Sequence, residues 1–377
     1  MCIYMLDAMG IINLYEKDDL LQKLVDHRPV ATLPFAGRYR LIDFILSNMV
    51  NSGITNVGVL TGVKARSVMD HLRSGKEWDL ARRRDGLFLL PTNHSIQSSL
   101  ETLNNIDDLY SHIDYIACSK QKHVLFANSK IVFSTNFRAF YDFHVKNNAD
   151  ISIMYKTEDV SKFNKEFYYS TLECDVTGRV FDLALGNHNN NSNKVNMNVM
   201  LFKKNVLMDL IADTYAHSGI NLMKDGIIRN MSKFNIFAYE YQGYTSRMAT
   251  VEDYFKNNLA VLEPTIRQEL FCESWPIHTK TKDEAPTRYT ADADVQNSML
   301  ANGCIICGAV KNSILSRGVS VAKGSSLTNT VIMQNCTIGE NVVLENVICD
   351  KNVTISAGKT LKGDINYPIV ISKGKVI

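Results

Sequence analysis

From residue 302 onward the sequence repeats every 17 residues, and this period restricts the fold more than any other feature of the chain. Cys304, Val321, Ile338 and Ile355 fall into one apolar column, Val310, Leu327, Leu344 and Leu361 into a second, and Ile314, Val331 and Ile348 into a third. The first two columns lie six residues apart, with small and polar residues and Gly308, Gly324, Gly339 and Gly358 between them. Six residues per flat face and about three faces per coil describe a parallel β-helix, whose coils bury their apolar rows only by stacking. Asn312, Asn329 and Asn346 form a further column, which predicts a recurring corner or a stacked amide ladder.

A β-helix is first of all an assembly surface. It also occurs in acyltransferases that use a histidine at a coil interface, but no histidine follows His278. Without that general base, acyl transfer is disfavoured.

A chain of 377 residues exceeds one ordinary core. The remainder divides into an α/β domain over 1–262 and a connector over 263–295 that carries Pro264, Pro276 and Pro286, leaving 296–377 for the β-helix. In the first domain, apolar runs at 2–12, 56–61, 86–90, 123–128, 150–155 and 195–202 read as strands, the first ending in a turn at Gly10. Helical periods at 41–51, 65–73, 98–113, 136–147, 205–215 and 251–262 alternate with them, and 168–185 reads as a hairpin turning at Asp175 to Gly178. Gly186 to Asn193 reads as a polar loop, with His188 a solvated residue. The alternation predicts a mostly parallel, Rossmann-like sheet, whose ligands sit beyond the carboxyl ends of the strands. Asn128, Ser129 and Lys130 stand at such an end.

The basic stretch before the 41–51 helix holds Arg28, Arg38 and Arg40 around Pro29, Pro34 and Gly37. Three guanidinium groups on one loop suit phosphate, although a loop leading into a core helix would read the same way. The N-terminal strand is a poor phosphate loop, because Gly10 alone cannot supply the positive φ and close backbone approach of a glycine-rich cradle.

A net charge of +2 provides no field to recruit nucleic acid or an anionic membrane. Eight cysteines without the rhythm of a disulfide scaffold fit a reducing cytoplasm, and Cys304 and Cys307 have no second pair to complete a zinc site. The N-terminus lacks a basic flank, and no run is long and apolar enough to cross a bilayer, so a soluble cytoplasmic protein is expected.

An α/β domain, a proline-bearing connector and a β-helix of left-handed type together resemble the sugar-1-phosphate nucleotidyltransferases. The run Phe35 to Asn48, then Asn51 to Thr61, closely resembles ADP-glucose pyrophosphorylase (glucose-1-phosphate adenylyltransferase). His71 to Trp78, Val251 to Leu259 and Ser274 to His278 extend the likeness over nearly the full chain.

That resemblance implies functional positions which this sequence does not fill. The glycine-rich ATP loop is reduced to Gly10, and the segment Gln97 to Glu101 lacks the family's pattern. Val30 stands for a nucleotide-contacting lysine and Ser129 for a metal-binding aspartate; Gly186 falls in the sugar-phosphate motif, and Arg247 stands near the second aspartate. Arg28 and Arg40 are retained from a pocket for phosphorylated sugar effectors, with Arg38 a further candidate. The pattern resembles the GlgD-type second subunit. It implies no intrinsic cofactor or metal site, with Mg²⁺ and ATP used by a catalytic partner subunit in a homo- or hetero-tetramer. A rearranged active site using Asp182 or Glu252, or a metabolite-sensing scaffold, remain open as alternatives.

Overall fold

The computed structural model describes residues 5–14, 19–62, 64–92, 105–164, 168–186 and 192–377. Cys2, the Gln97 to Glu101 segment, the first part of the helix expected over 98–113, and His188 in its polar loop lie outside the described residues.

In chain order the first domain contains β1 (Ala8–Asn13), the hairpin β2 (Pro34–Phe35) and β3 (Tyr39–Arg40), and α1 (Leu41–Asn51). Then come β4 (Asn56–Thr61), α2 (Arg66–Leu72), β5 (Gly86–Pro91), α3 (Ile106–Ser111), α4 (Ile113–Cys118), β6 (His123–Ala127), β7 (Ile131–Val132) and α5 (Arg138–Lys146). They are followed by β8 (Ile151–Thr157), β9 (Ser170–Cys174), β10 (Val180–Leu185), β11 (Lys194–Lys203), α6 (Lys204–Ala216), β12 (Ile236–Glu240), β13 (Ser246–Arg247) and α7 (Val251–Ala260).

Among the described residues the main sheet is nine-stranded, in the order β10-β9-β11-β6-β1-β4-β5, with β8 pairing β11 and β12 beyond it. β6, β1, β4 and β5 are mutually parallel, as are β8 and β12, while β11 runs antiparallel to β6 and β8. β1 and β4 are buried along their whole length, which is why they read as continuous apolar runs rather than alternating ones. Successive side chains of β1 enter opposite layers: Ala8 and Ile12 pack with Ile42, Ile45 and Met49 of α1, and Met9 and Ile11 pack with Leu109, Ile116 and Leu207.

Gly10 is not a turn. It lies mid-strand opposite Val57 and Leu125, and a Cβ there would stand 2.6 Å from the Met49 sulfur. The glycine therefore makes room for α1. That helix occupies the span its apolar period predicts; the Asp43 carboxylate accepts the Arg40 N–H at 2.9 Å to close its first turn, and Gly53 ends it at φ 83°. The β9–β10 hairpin turns as expected, where the Asp175 side chain accepts the N–H groups of Thr177 and Arg179.

The β-helix follows the repeat, with one correction. Val310, Leu327, Leu344 and Leu361 are directly stacked, and so are Ile314, Val331 and Ile348. In the remaining column the partner of Val321 is Ile306, not Cys304, since the step from Ile306 to Val321 is 15 residues, while those from Tyr289 to Ile306 and from Val321 onward are 17. Cys304 is still buried, two positions earlier. A shorter coil keeps the apolar pattern but shifts the register, which a search for one fixed period does not detect.

The stack also begins before residue 296. Arg288–Tyr289 pairs with Ile305–Ile306, and Asp294–Gln296 with Ala309–Lys311, while α8 (Pro264–Leu270) opens the same segment. The expected asparagine corner is present. Asn312, Asn329 and Asn346 adopt φ of 47°, 49° and 52°, and Asn329 donates its amide to Asn346 at 3.2 Å.

Phe35, Leu41, Phe44, Tyr254 and Phe255 of the first domain share a core with Val331, Met333 and Ile348 of the β-helix. The two domains are therefore joined by a continuous apolar seam. Among the described residues no helix is long and apolar enough to cross a membrane.

Candidate functional site

Two places carry the expected chemistry, the domain seam and the carboxyl edge of the sheet. At the seam the three arginines do not act alike. Arg28 is buried, with its guanidinium ion-paired to the Asp350 carboxylate of the β-helix and its Nε donating to the Leu24 carbonyl at 3.0 Å. Arg40 is half-buried and donates to the Ser67 carbonyl at 3.0 Å. Burial lowers its pKa to about 10 against the opposing pull of Asp43. Arg38 stands apart, exposed, with its guanidinium 5.6 Å from the centre of the Tyr39 ring.

The missing partner was Lys351, adjacent to Asp350. Burial first, and then the positive charges of Arg40 and Arg28, push its ammonium down to about 7, with Asp350 opposing. The Lys351 ammonium thus lies within electrostatic reach of both guanidinium groups, with Asp350 opposing it while paired to Arg28, and Asp43 opposing Arg40. A charged pair interrupting the apolar row after Cys349 was the visible signal. Asp43 holds the seam from below: it also bonds the buried His71 ring at 2.5 Å, tying α1 to α2. Burial lowers the His71 pKa despite that carboxylate.

At the sheet edge, Ser129 is fully buried two residues beyond β6, and β13 pairs with β7 so that Arg247 lies opposite Ile131 and the Met248 N–H donates to the Lys130 carbonyl at 2.8 Å. The structure therefore brings Ser129 and Arg247 to one place. The Arg247 guanidinium pairs with Glu158, just past β8, at 3.2 Å, and the Phe163 ring lies 5.6 Å from it. Glu158 carries no signal in the sequence, because only the sheet order brings the end of β8 near β13.

The other two positions are elsewhere. Val30 is buried in a short 3₁₀ turn among Leu33, Phe35 and Leu41. Gly186 closes the β9–β10 hairpin at φ 79°, donating to the Tyr169 carbonyl at 2.9 Å. Of the alternative carboxylates, Asp182 is exposed on β10 opposite Glu173, and Glu252 pairs with Lys256 on α7.

This donor set does not fit a divalent cation. Ser129 supplies a hydroxyl where the ion needs a hard anionic oxygen, and Glu158, the carboxylate at this edge, is already paired with the Arg247 guanidinium. Among the described residues no group of histidine, cysteine, aspartate and glutamate side chains is placed to hold a metal.

The nucleotidyl transferase family matches residues 21–240, and the GlmU-like C-terminal hexapeptide family matches 284–366. The chain is 35% identical to glycogen biosynthesis protein GlgD of Bacillus subtilis and 38% identical to that of Geobacillus stearothermophilus, in each case over 98% of this chain and 96% of the relative. It is 31% identical to a glucose-1-phosphate adenylyltransferase of Thermomicrobium roseum, over 97% of this chain and 86% of the relative. A nucleotidyltransferase sheet followed by a left-handed β-helix, and likeness along nearly the whole length, make this chain a member of the glucose-1-phosphate adenylyltransferase family of nucleotidyl transferases, in the group of the GlgD proteins.

Proposed function

We propose that this chain is a regulatory subunit of glucose-1-phosphate adenylyltransferase in glycogen biosynthesis, silent or weakly active by itself. It assembles with a catalytic subunit, as part of a tetramer, and alters that subunit's rate or its response to a phosphorylated sugar. The observation that carries the reading is Arg247 paired to Glu158 beside Ser129, at the strand ends where the family's reaction needs carboxylates.

Nucleotidyl transfer accumulates negative charge on the transferring oxygens, and removal of one electrostatic element of that kind costs about 10²- to 10³-fold in turnover. The catalytic partner supplies the Mg²⁺ and ATP chemistry. This chain supplies the seam of Arg28, Arg40 and Lys351, where a phosphorylated effector binds between the two domains and biases their packing.

The test is ADP-glucose formation from ATP and glucose 1-phosphate with Mg²⁺, first by the pure chain and then by its mixture with the catalytic subunit. The mixture is expected to exceed the sum of its parts or to gain an effector response. Turnover by this chain alone equal to that of the mixture would overturn the reading.

A further inference from the structure

Lys194, the first residue of β11, donates its ammonium to the sulfur of Cys174, the last residue of β9, with the nitrogen 3.1 Å from the sulfur. Both side chains are half-buried, and the ammonium also lies 5.9 Å from the centre of the buried Tyr155 ring on β8. A lysine set on a thiol rather than a carboxylate is a weak structural tie, because sulfur is a poor hydrogen-bond acceptor. Yet the junction it spans is thin. β9 and β11 share one paired position, Val195 opposite Thr171, and beside it the Ser192 hydroxyl donates to the Leu172 carbonyl at 2.7 Å and the Asn196 amide to the Ser170 hydroxyl at 3.0 Å. The β9–β10 hairpin is therefore held to β11 at few points, with an amine and a thiol in contact across the gap.

We propose that Cys174 and Lys194 form a reversible covalent crosslink in which one oxygen atom bridges Cys174 Sγ and Lys194 Nζ, with hydrogen peroxide as the oxidant. First the sulfur attacks the peroxide O–O bond, gives up two electrons and becomes a sulfenic acid, and water leaves. A second peroxide then accepts two electrons as the sulfenic oxygen bonds to the amine nitrogen; the sulfenic proton and one amine proton leave, and two further waters form. The proton that the ammonium sheds beforehand goes to solvent. Contact with the sulfur raises the Lys194 pKa against the opposing effect of burial, and oxidation of the thiol removes that hold, so the amine is freed after the sulfur has reacted. Geometry selects the bridged product. A direct S–N bond would draw the two atoms from 3.1 Å to bonding distance, whereas an inserted oxygen leaves them close to where they stand. The bridge joins residues 20 positions apart and fixes the hairpin to the sheet, which restricts the unfolded chain.

The experiment treats the full chain with hydrogen peroxide, quenches it with catalase, and reads the digest by mass spectrometry before and after dithiothreitol. The Cys174 and Lys194 peptides should appear joined, with one oxygen more and two hydrogens fewer than the two free peptides together, and dithiothreitol should separate them. The exposed Cys118 is expected to be oxidised without a crosslink, which shows that peroxide reached the protein. In Lys194→Met, Cys174 should instead run on to the sulfinic acid. The treated chain should also unfold at a higher temperature than the untreated one, a shift that dithiothreitol reverses and Lys194→Met lacks. The proposal is overturned if Cys118 is oxidised while Cys174 and Lys194 stay separate, if the joined pair lacks the added oxygen, if dithiothreitol leaves it intact, or if the thermal shift persists in Lys194→Met.

Discussion

Arg28 in the basic loop and Asp350 in the β-helix form a buried ion pair across 322 positions of sequence. The pair joins the two domains at their apolar seam, next to Lys351, so a residue of the proposed effector site also holds the domains together. Asp350→Ala leaves a buried guanidinium without its carboxylate and is expected to destabilise the fold by about 3 kcal/mol, whereas Arg28→Met with Asp350→Leu should recover most of that loss. Urea unfolding of the three proteins checks this.

Because Arg28 is committed to Asp350, Arg40 and Lys351 are the cleaner probes of the seam. Arg40→Ala or Lys351→Ala should raise the effector concentration for half-response by about tenfold or more while leaving the mass of the assembly unchanged. Arg28→Ala should also lower the melting temperature. An effector titration of the mixed enzyme, beside analytical ultracentrifugation, separates the two behaviours.

The Lys351 ammonium, held down to about 7, makes the seam sensitive to pH. Its cation is present below that value and is lost as pH rises through it, so anion affinity should fall across neutral pH. In Lys351→Met the same titration should be nearly flat. Effector binding measured from pH 6 to 8.5, roughly one unit or more either side of that value, shows the difference.

His144 is buried with its Nδ1 bonded to the Ser152 hydroxyl at 2.8 Å, and burial, with smaller contributions from His123 and Lys203, lowers its pKa to about 3. A histidine whose folded pKa lies below its unfolded value of about 6.5 stabilises the fold fully above 6.5, and that contribution is lost as pH falls toward 3. Urea midpoints should therefore drop through this window. In His144→Gln the drop should be shallower.

Gly308 faces the backbone of the next coil. A Cβ there would lie 2.5 Å from the Ser325 carbonyl oxygen and 2.9 Å from that of Ala322, and neither can move without breaking the stack. Gly308→Ala should cost about 1–3 kcal/mol by overpacking. At Gly358, φ is 73° but nothing stands within 4 Å, so Gly358→Ala should cost only its left-handed strain, about 1 kcal/mol. Thermal unfolding of both variants distinguishes crowding from strain.

Local periodicity made most of the architecture legible. The span of α1, the strand Asn56–Thr61, the Asp175 turn and the asparagine corner all depend on neighbours one to four residues away or on a repeat of identical coils. The departures came where one register replaced another. Gly10 had to pack under Met49 rather than turn, and a 15-residue coil among 17-residue ones moved Ile306 into the place expected for Cys304.

The sequence by itself determined that the chain is an α/β domain followed by a stacked β-helix, because apolar rows can be buried in few ways and their period selects among them. It also marked Arg28, Arg40, Ser129 and Arg247 as positions of interest. The tertiary structure decided what those residues face. Ion pairs such as Arg28 with Asp350 and Arg247 with Glu158 join segments far apart in the chain, and their partners are set by sheet order and domain packing, which no local pattern records.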